Sequence, residues 1–111
     1  MSAPVWRNGR IEAGVEAPDR RAASRGAFTT AGCDHGRPLL WDRHRRRLAG
    51  SLEHLGAPPP ALPSEAEMAA LLAACGRAGP ARLRLVGWQD DRRWRLEAAV
   101  GDARPVGPDA S

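Results

Sequence analysis

Four arginines and a histidine occupy five consecutive positions, Arg43-His44-Arg45-Arg46-Arg47, between Trp41-Asp42 and Leu48. A guanidinium presents a planar fork of N–H donors that matches the oxygens of a phosphate or carboxylate, so this run can hold an anion. Placed on a helix at about 100° per residue, Trp41, His44, Leu52 and Leu55 fall within about 40° of Leu48 and form an apolar stripe. His44 on that stripe reads as a packed, hydrogen-bonded histidine rather than a metal ligand or base. Arg43, Arg45 and Arg46 read as a solvated face. Arg47 sits on the shoulder between core and water, where it can reach along the sheet edge toward a ligand.

Other chemistries find no support. No G-x-S-x-G elbow surrounds Ser24, Ser51 or Ser64. Asp90-Asp91 sits in a turn, where aspartate is expected for backbone reasons. No P-loop or G-x-G-x-x-G occurs. Cys33 and Cys75 lie far apart, with no C-x-x-C and no histidine pair at zinc spacing, and two reduced thiols are expected rather than a disulfide. No metal site and no catalytic residue is assigned.

All 17 basic residues of the 111 are arginine, so amine chemistry by lysine is closed to these residues. A net charge of +4 allows a phosphate-bearing partner. The chain is rich in Ala, Arg, Gly and Pro and lacks Lys and Tyr, which is what a GC-rich coding bias gives. Asp42 and Glu53 interrupt the basic run and no aromatic platform accompanies it, which ranks a small basic nucleic-acid-binding protein last. No apolar run reaches the length of a membrane span and no leader pattern opens the chain, so a cytoplasmic setting is expected.

The elements that must carry these residues follow from local signals. Val5-Trp6-Arg7, Asn8-Gly9 and Arg10-Ile11-Glu12 make a hairpin. Residues 13–25 read as a surface loop with Pro18-Asp19 as a turn. Ala27 to Cys33 reads as a strand, Asp34-His35-Gly36-Arg37 as a four-residue loop and Pro38 to Trp41 as the return strand. A helix follows with Asp42 as N-cap, ended by Gly56 and kept from resuming by Pro58-Pro59-Pro60. Ser64-Glu65-Ala66-Glu67 is a capping box opening a second helix, whose apolar face is Met68, Leu71, Leu72 and Cys75 and which Gly76 closes. Ala81–Trp88 and Arg93–Val100 read as strands around the turn Gln89-Asp90-Asp91-Arg92. Alternation of Leu83 and Leu85 with Arg82 and Arg84, and of Trp94 and Leu96 with Arg93, Arg95 and Glu97, predicts one apolar and one wet face. The expectation is a single α+β domain over 1–104, a two-layer antiparallel sheet of about six strands with two helices on one face, and a flexible tail over 105–111.

Phe28-Thr29-Thr30-Ala31, Asp34-His35-Gly36-Arg37, Leu40 to Leu48 and Leu55-Gly56-Ala57-Pro58 come in an order and spacing that resemble the N-terminal small domain of class IV, fold-type IV, pyridoxal-phosphate enzymes. These are the branched-chain and D-amino-acid aminotransferases and aminodeoxychorismate lyase, the last closest in the run Phe28 to Ala31. Val5 to Gly9 and Asp19-Arg20 fit the same pattern. By this resemblance Arg47, in His44-x-x-Arg47-Leu48, contacts the phosphate of pyridoxal 5′-phosphate, and Phe28 lies near the active-site opening. Ser24-Arg25-Gly26 departs from the family's Gly-Asp-Gly, and Gln89-Asp90 from its Arg-Gly. The resemblance implies a larger lobe carrying the Schiff-base lysine, so these residues alone are expected to be inactive and to need a large-domain partner chain. The alternative is a non-catalytic, homo-oligomeric binding or assembly module derived from that domain.

Overall fold

A computed structural model describes residues 3–13 and 25–103. Its elements are β1 (Val5–Arg7), β2 (Arg10–Glu12), β3 (Arg25–Asp34), β4 (Arg37–Pro38), α1 (Trp41–His54), α2 (Glu65–Ala74), β5 (Ala81–Asp90) and β6 (Arg93–Asp102). The strands form one antiparallel sheet in the order β2-β1-β6-β5-β3-β4. Both helices cover the same face, giving the expected α+β layer. The loop read over 13–25, with Pro18-Asp19 and Asp19-Arg20, lies almost wholly outside the described residues, as do Ser24 and the 105–111 tail.

Three hairpins share one device. Asn8-Gly9, His35-Gly36 and Asp91-Arg92 all have positive φ at both central positions, the signature of the type I′ turn whose twist matches that of paired strands. The two longer loops drawn from sequence therefore shrink to two residues each. Asn8 also ties its turn to β6. Its N–H donates to Leu96 O at 3.1 Å and its Oδ1 accepts from Leu96 N at 2.9 Å.

The helix ends are equally local. Ser64 and Glu67 form both bonds of the capping box. Gly56 and Gly76, at φ 89° and 68°, end the helices in Schellman motifs. In each the following residue closes back on the helix: Ala57 N donates to Leu52 O at 3.0 Å and Arg77 N to Leu72 O at 2.9 Å.

Two boundaries differ from expectation near β4. The return strand is only Arg37–Pro38, extended by one bond from Leu39 N to Gly32 O at 2.8 Å. Asp42 is not the N-cap. Leu40 is, in the left-handed region at φ 54° and ψ 38°, with no side-chain cap. The reason lies one residue on: Trp41 is buried and its Nε1 donates to Pro63 O at 2.9 Å, so the chain must turn sharply before it. Asp42 is left in the first helical turn, where its charge favours the helix dipole.

The core lies between helices and sheet. Trp41, Leu48 and Leu52 of α1 and Met68, Leu71 and Leu72 of α2 meet Trp6, Ala31, Cys33, Leu83, Leu85, Leu96 and Ala98. Gly87 sets how closely α1 approaches. A Cβ there would lie 2.8 and 2.9 Å from the Leu52 methyls and 3.1 Å from Leu96.

The opposite face is not uniformly wet, a second correction. Val86 and Trp88 are buried on it, and Glu97, expected in solvent, is fully enclosed. Glu97 Oε2 accepts from Arg7 Nη2 at 3.0 Å, so this carboxylate faces a guanidinium on the neighbouring strand rather than water.

Gly87→Ala is expected to cost about 1–3 kcal/mol, because the new methyl cannot enter without displacing Leu52. Urea denaturation checks it; a variant as stable as the parent would show that α1 is free to lift from the sheet.

Candidate functional site

The strand β3 is where the sequence-selected residues gather. Its odd-numbered side chains, Ala27, Thr29, Ala31 and Cys33, face the helices. Gly26, Phe28, Thr30 and Gly32 face the other way, as the pairing with β5 requires. Thr29 is buried, and its Oγ1 lies 2.8 Å from Nδ1 of His44 in a hydrogen bond whose direction depends on the imidazole tautomer. His44 thus packs and bonds as expected of a core histidine, and it fixes α1 over β3.

Arg43 and Arg47 lie beyond His44 on the helix, on the side away from Leu48 and Leu52. With Leu52 over Gly87 and His44 bonded to Thr29, the wheel turns Arg47 to the β3 flank of α1, while Arg43 points further outward and lines a surface hollow with Asp42, Arg46 and Glu65. Both are exposed, and among the described residues neither has a carboxylate within ion-pair distance. Arg45 differs: its Nη1 lies 3.5 Å from Asp42 Oδ1. Both arginines also hold the His44 pKa down from its ordinary 6.5, behind burial as the leading cause and Arg47 ahead of Arg43. At neutral pH the imidazole is uncharged.

Phe28 stands on the far side of the sheet, 59% exposed, with the Arg84 guanidinium 4.3 Å from its ring centroid. The sheet separates Phe28 from Arg47. They flank the same strand from opposite faces rather than sharing one pocket. Around Phe28 runs a groove of about 390 Å³ lined by Thr30, Arg82, Arg84, Ala99 and Gly101. Arg84 pairs in register with Ala99, and Arg82 with Gly101, so no acidic side chain faces either arginine across the ladder. Sequence reasoning took Arg82 and Arg84 only as the wet side of a strand. The missing signal was the β5–β6 register, which puts Ala99 and Gly101 opposite Arg84 and Arg82.

A deeper apolar cavity of about 290 Å³ lies between Pro58–Pro60 and Trp94, with Leu52 and Leu96 at its base. Its one ionised side chain, Arg95, already faces Asp90 at 3.1 Å. It offers no chemistry. Among the described residues no cluster of His, Cys, Asp or Glu could hold a metal ion. No helix among them is long and apolar enough to cross a membrane. Cys33 and Cys75 are free thiols. Burial pushes Cys33 up to about 11 and also raises Cys75, so neither is a ready nucleophile.

No protein-family model matches the chain, and no curated protein does. Solved structures do. A branched-chain aminotransferase from Thermoproteus uzoniensis, with norvaline, superposes with TM-score 0.73 at 16% identity over 94% of this chain and 42% of its own. An aminotransferase of Mycobacterium tuberculosis described as hypothetical, in its PLP-bound form, gives TM-score 0.72 at 22% identity over 92% of this chain and 40% of its own. A branched-chain amino acid aminotransferase variant from Thermobaculum terrenum gives 0.67 at 19% over 92% and 39%. The chain therefore spans about two-fifths of the length of these structures. The resemblance to the small domain of class IV aminotransferases holds at the level of the fold.

The His44 arrangement has a pH consequence. A depressed folded pKa means that the folded chain binds fewer protons than the unfolded one below about 6.5. Stability should fall as pH drops through the ordinary imidazole range and level off below the depressed folded value. Arg47→Gln is expected to raise the His44 midpoint, more than Arg43→Gln does, as followed by NMR of the imidazole protons. A midpoint unmoved by either change would show that the two guanidinium groups do not act on His44.

Proposed function

We propose that this chain acts as the small lobe of a class IV aminotransferase-like, pyridoxal-phosphate-dependent catalyst, with the aminodeoxychorismate lyase branch as the nearest likeness, and that it is inactive without a lobe that carries a lysine. The observation behind the reading is Arg47: exposed, without a carboxylate partner among the described residues, beside a neutral histidine and over β3 of a fold shared with aminotransferases.

The residues suit the cofactor in part. A free guanidinium fits its phosphate, and Arg47 would hold that group. Nothing in the chain fits its aldehyde, because the sequence has no lysine. The cofactor, once held by the partner's lysine, supplies the electron sink for reactions at an amino-bearing carbon. This chain's own part is binding and orientation. Arg47 takes the phosphate and Phe28 stands near the opening. Arg82 and Arg84, with Thr30, present donors for an anionic substrate group in the groove beside Phe28. His44 stays uncharged, so the phosphate meets guanidinium charge and not an adjacent proton donor of changing state. The partner is a large-domain chain or segment, and a cytoplasmic setting belongs to the same proposal, in keeping with two free thiols. A homo-oligomeric assembly module remains the competing reading.

Pyridoxamine phosphate tests the phosphate contact without an aldehyde to react with the amino terminus. The chain should bind it weakly, with Arg47→Gln losing roughly ten- to a hundredfold, since a charge-assisted bond contributes roughly 1.5–3 kcal/mol. Mixing the chain with a lysine-bearing class IV large lobe should restore transaminase or lyase activity. Equal binding by parent and Arg47→Gln, or a stable homodimer indifferent to the cofactor and to the large lobe, would sink the proposal.

A further inference from the structure

The outer edge of β3 is an unpaired template for another strand. Because Leu39 N donates to Gly32 O, the carbonyl of Gly32 points away from β5. Backbone direction alternates along a strand, so the N–H and C=O groups of Thr30, Phe28 and Gly26 point the same way. β4 stops at Pro38 and pairs only with Cys33 and Asp34, which leaves these six groups without a strand partner among the described residues. Gly26, Phe28 and Thr30 are all exposed. Proteins usually guard such an edge with a charge, a proline, a bulge or a very short strand. Between Gly26 and Cys33 this edge has no charge and no proline, and the register with β5 is unbroken. The opposite edge, β2, is three residues long and carries Arg10 and Glu12.

The surroundings of the open edge are cationic on both faces. Arg47 stands on the β3 flank of α1 beside His44, and Arg84 lies over Phe28 on the other side. A second copy pairing two-fold across this edge would bring the Arg47 side chains of the two copies toward each other, which is unfavourable. An extended segment with acidic side chains suffers no such conflict.

We infer that the Gly26–Thr30 edge of β3 docks an extended acidic peptide segment of a partner protein by strand addition. The partner's main chain pairs with Gly26, Phe28 and Thr30. Its carboxylates on the helix side meet Arg47, and its alternate side chains lie beside Phe28. This inference does not require the cofactor. Where both hold, peptide and pyridoxamine phosphate compete for Arg47.

Amide hydrogen exchange on the intact chain, with a short blocked peptide alternating Glu and Thr as the probe, tests it. In the free chain the amides of Gly26, Phe28 and Thr30 should exchange fast, while those of Ala27, Thr29 and Ala31, bonded to β5, exchange slowly. Adding the peptide should slow the first set. The Lys-for-Glu version should not, and Arg47→Gln should weaken the effect about tenfold, as added salt does. A version with proline at its centre should bind less well, because it lacks the central donor. Protection of Gly26, Phe28 and Thr30 in the dilute free chain would overturn the inference, since the edge would then be covered already. Protection that grows with protein concentration alone would overturn it in favour of a second copy. Equal effects of Glu and Lys peptides would remove the charge argument and the acidic partner with it. Failure of the cofactor to bind, with the peptide still bound, would count against the cofactor reading alone.

Discussion

The close approach of Leu52 to Gly87 governs the placement of everything functional here. Helix α1 packs on the sheet only as closely as β5 allows, and β5 offers bare backbone at the crossing point. With the carboxyl end of α1 seated there, its amino-terminal half runs out toward β3, and His44 comes within hydrogen-bond reach of Thr29. Those two contacts fix the rotation of the helix. Rotation then decides which of the four arginines faces Asp42 and which stands on the β3 flank. A larger side chain at position 87 would shift the helix and redistribute the cations, although no arginine had been touched.

Much of this was legible in the sequence, for reasons that are local. Asn8-Gly9 marks a two-residue turn because only a few residues accept two positive φ values in succession, and the hairpin came out as read. The capping box and the two terminal glycines declare helix ends because they satisfy orphan backbone groups within one turn of chain. A turn over 89–92 was read from its aspartates, but Asp91-Arg92 adopts the two-residue form with no glycine, so its tightness was not advertised locally. There the long register of β5 with β6 imposes the conformation. Asp42 misled for the reverse reason. It has the chemistry of a cap, but burial of Trp41 and its bond to Pro63, 22 positions away, settled the boundary.

The site was legible only in part. The apolar stripe placed His44 inward and Arg47 on the shoulder, and the structure puts His44 against Thr29 and leaves Arg47 exposed beyond it. Glu97 was misplaced because alternation assigns a face, and a face need not be wet. Arg7 on β1 reaches the same side, and the neighbouring strand is not visible to a period-two pattern. Arg82 and Arg84 were visible as residues but not as a pair of unopposed cations, since that depends on Ala99 and Gly101 lying across the ladder.

These placements make β3 a seam rather than the floor of one pocket. On its helix side lies Arg47, with an uncharged imidazole between it and the core. On its other side Arg84 covers Phe28. Positive charge on both faces of a strand with a bare backbone edge raises the cost of leaving that edge in water beside another cation, and lowers it for an anion. A phosphate at Arg47 and a carboxylate beside Arg84 would each relieve one side. Only something that spans the edge relieves both, whether the chain meets it as a larger lobe with its cofactor or as an extended acidic segment. The neutral run from Gly26 to Gly32 is what permits that approach. A single lysine or proline within it would have closed the edge, and the chain has neither there.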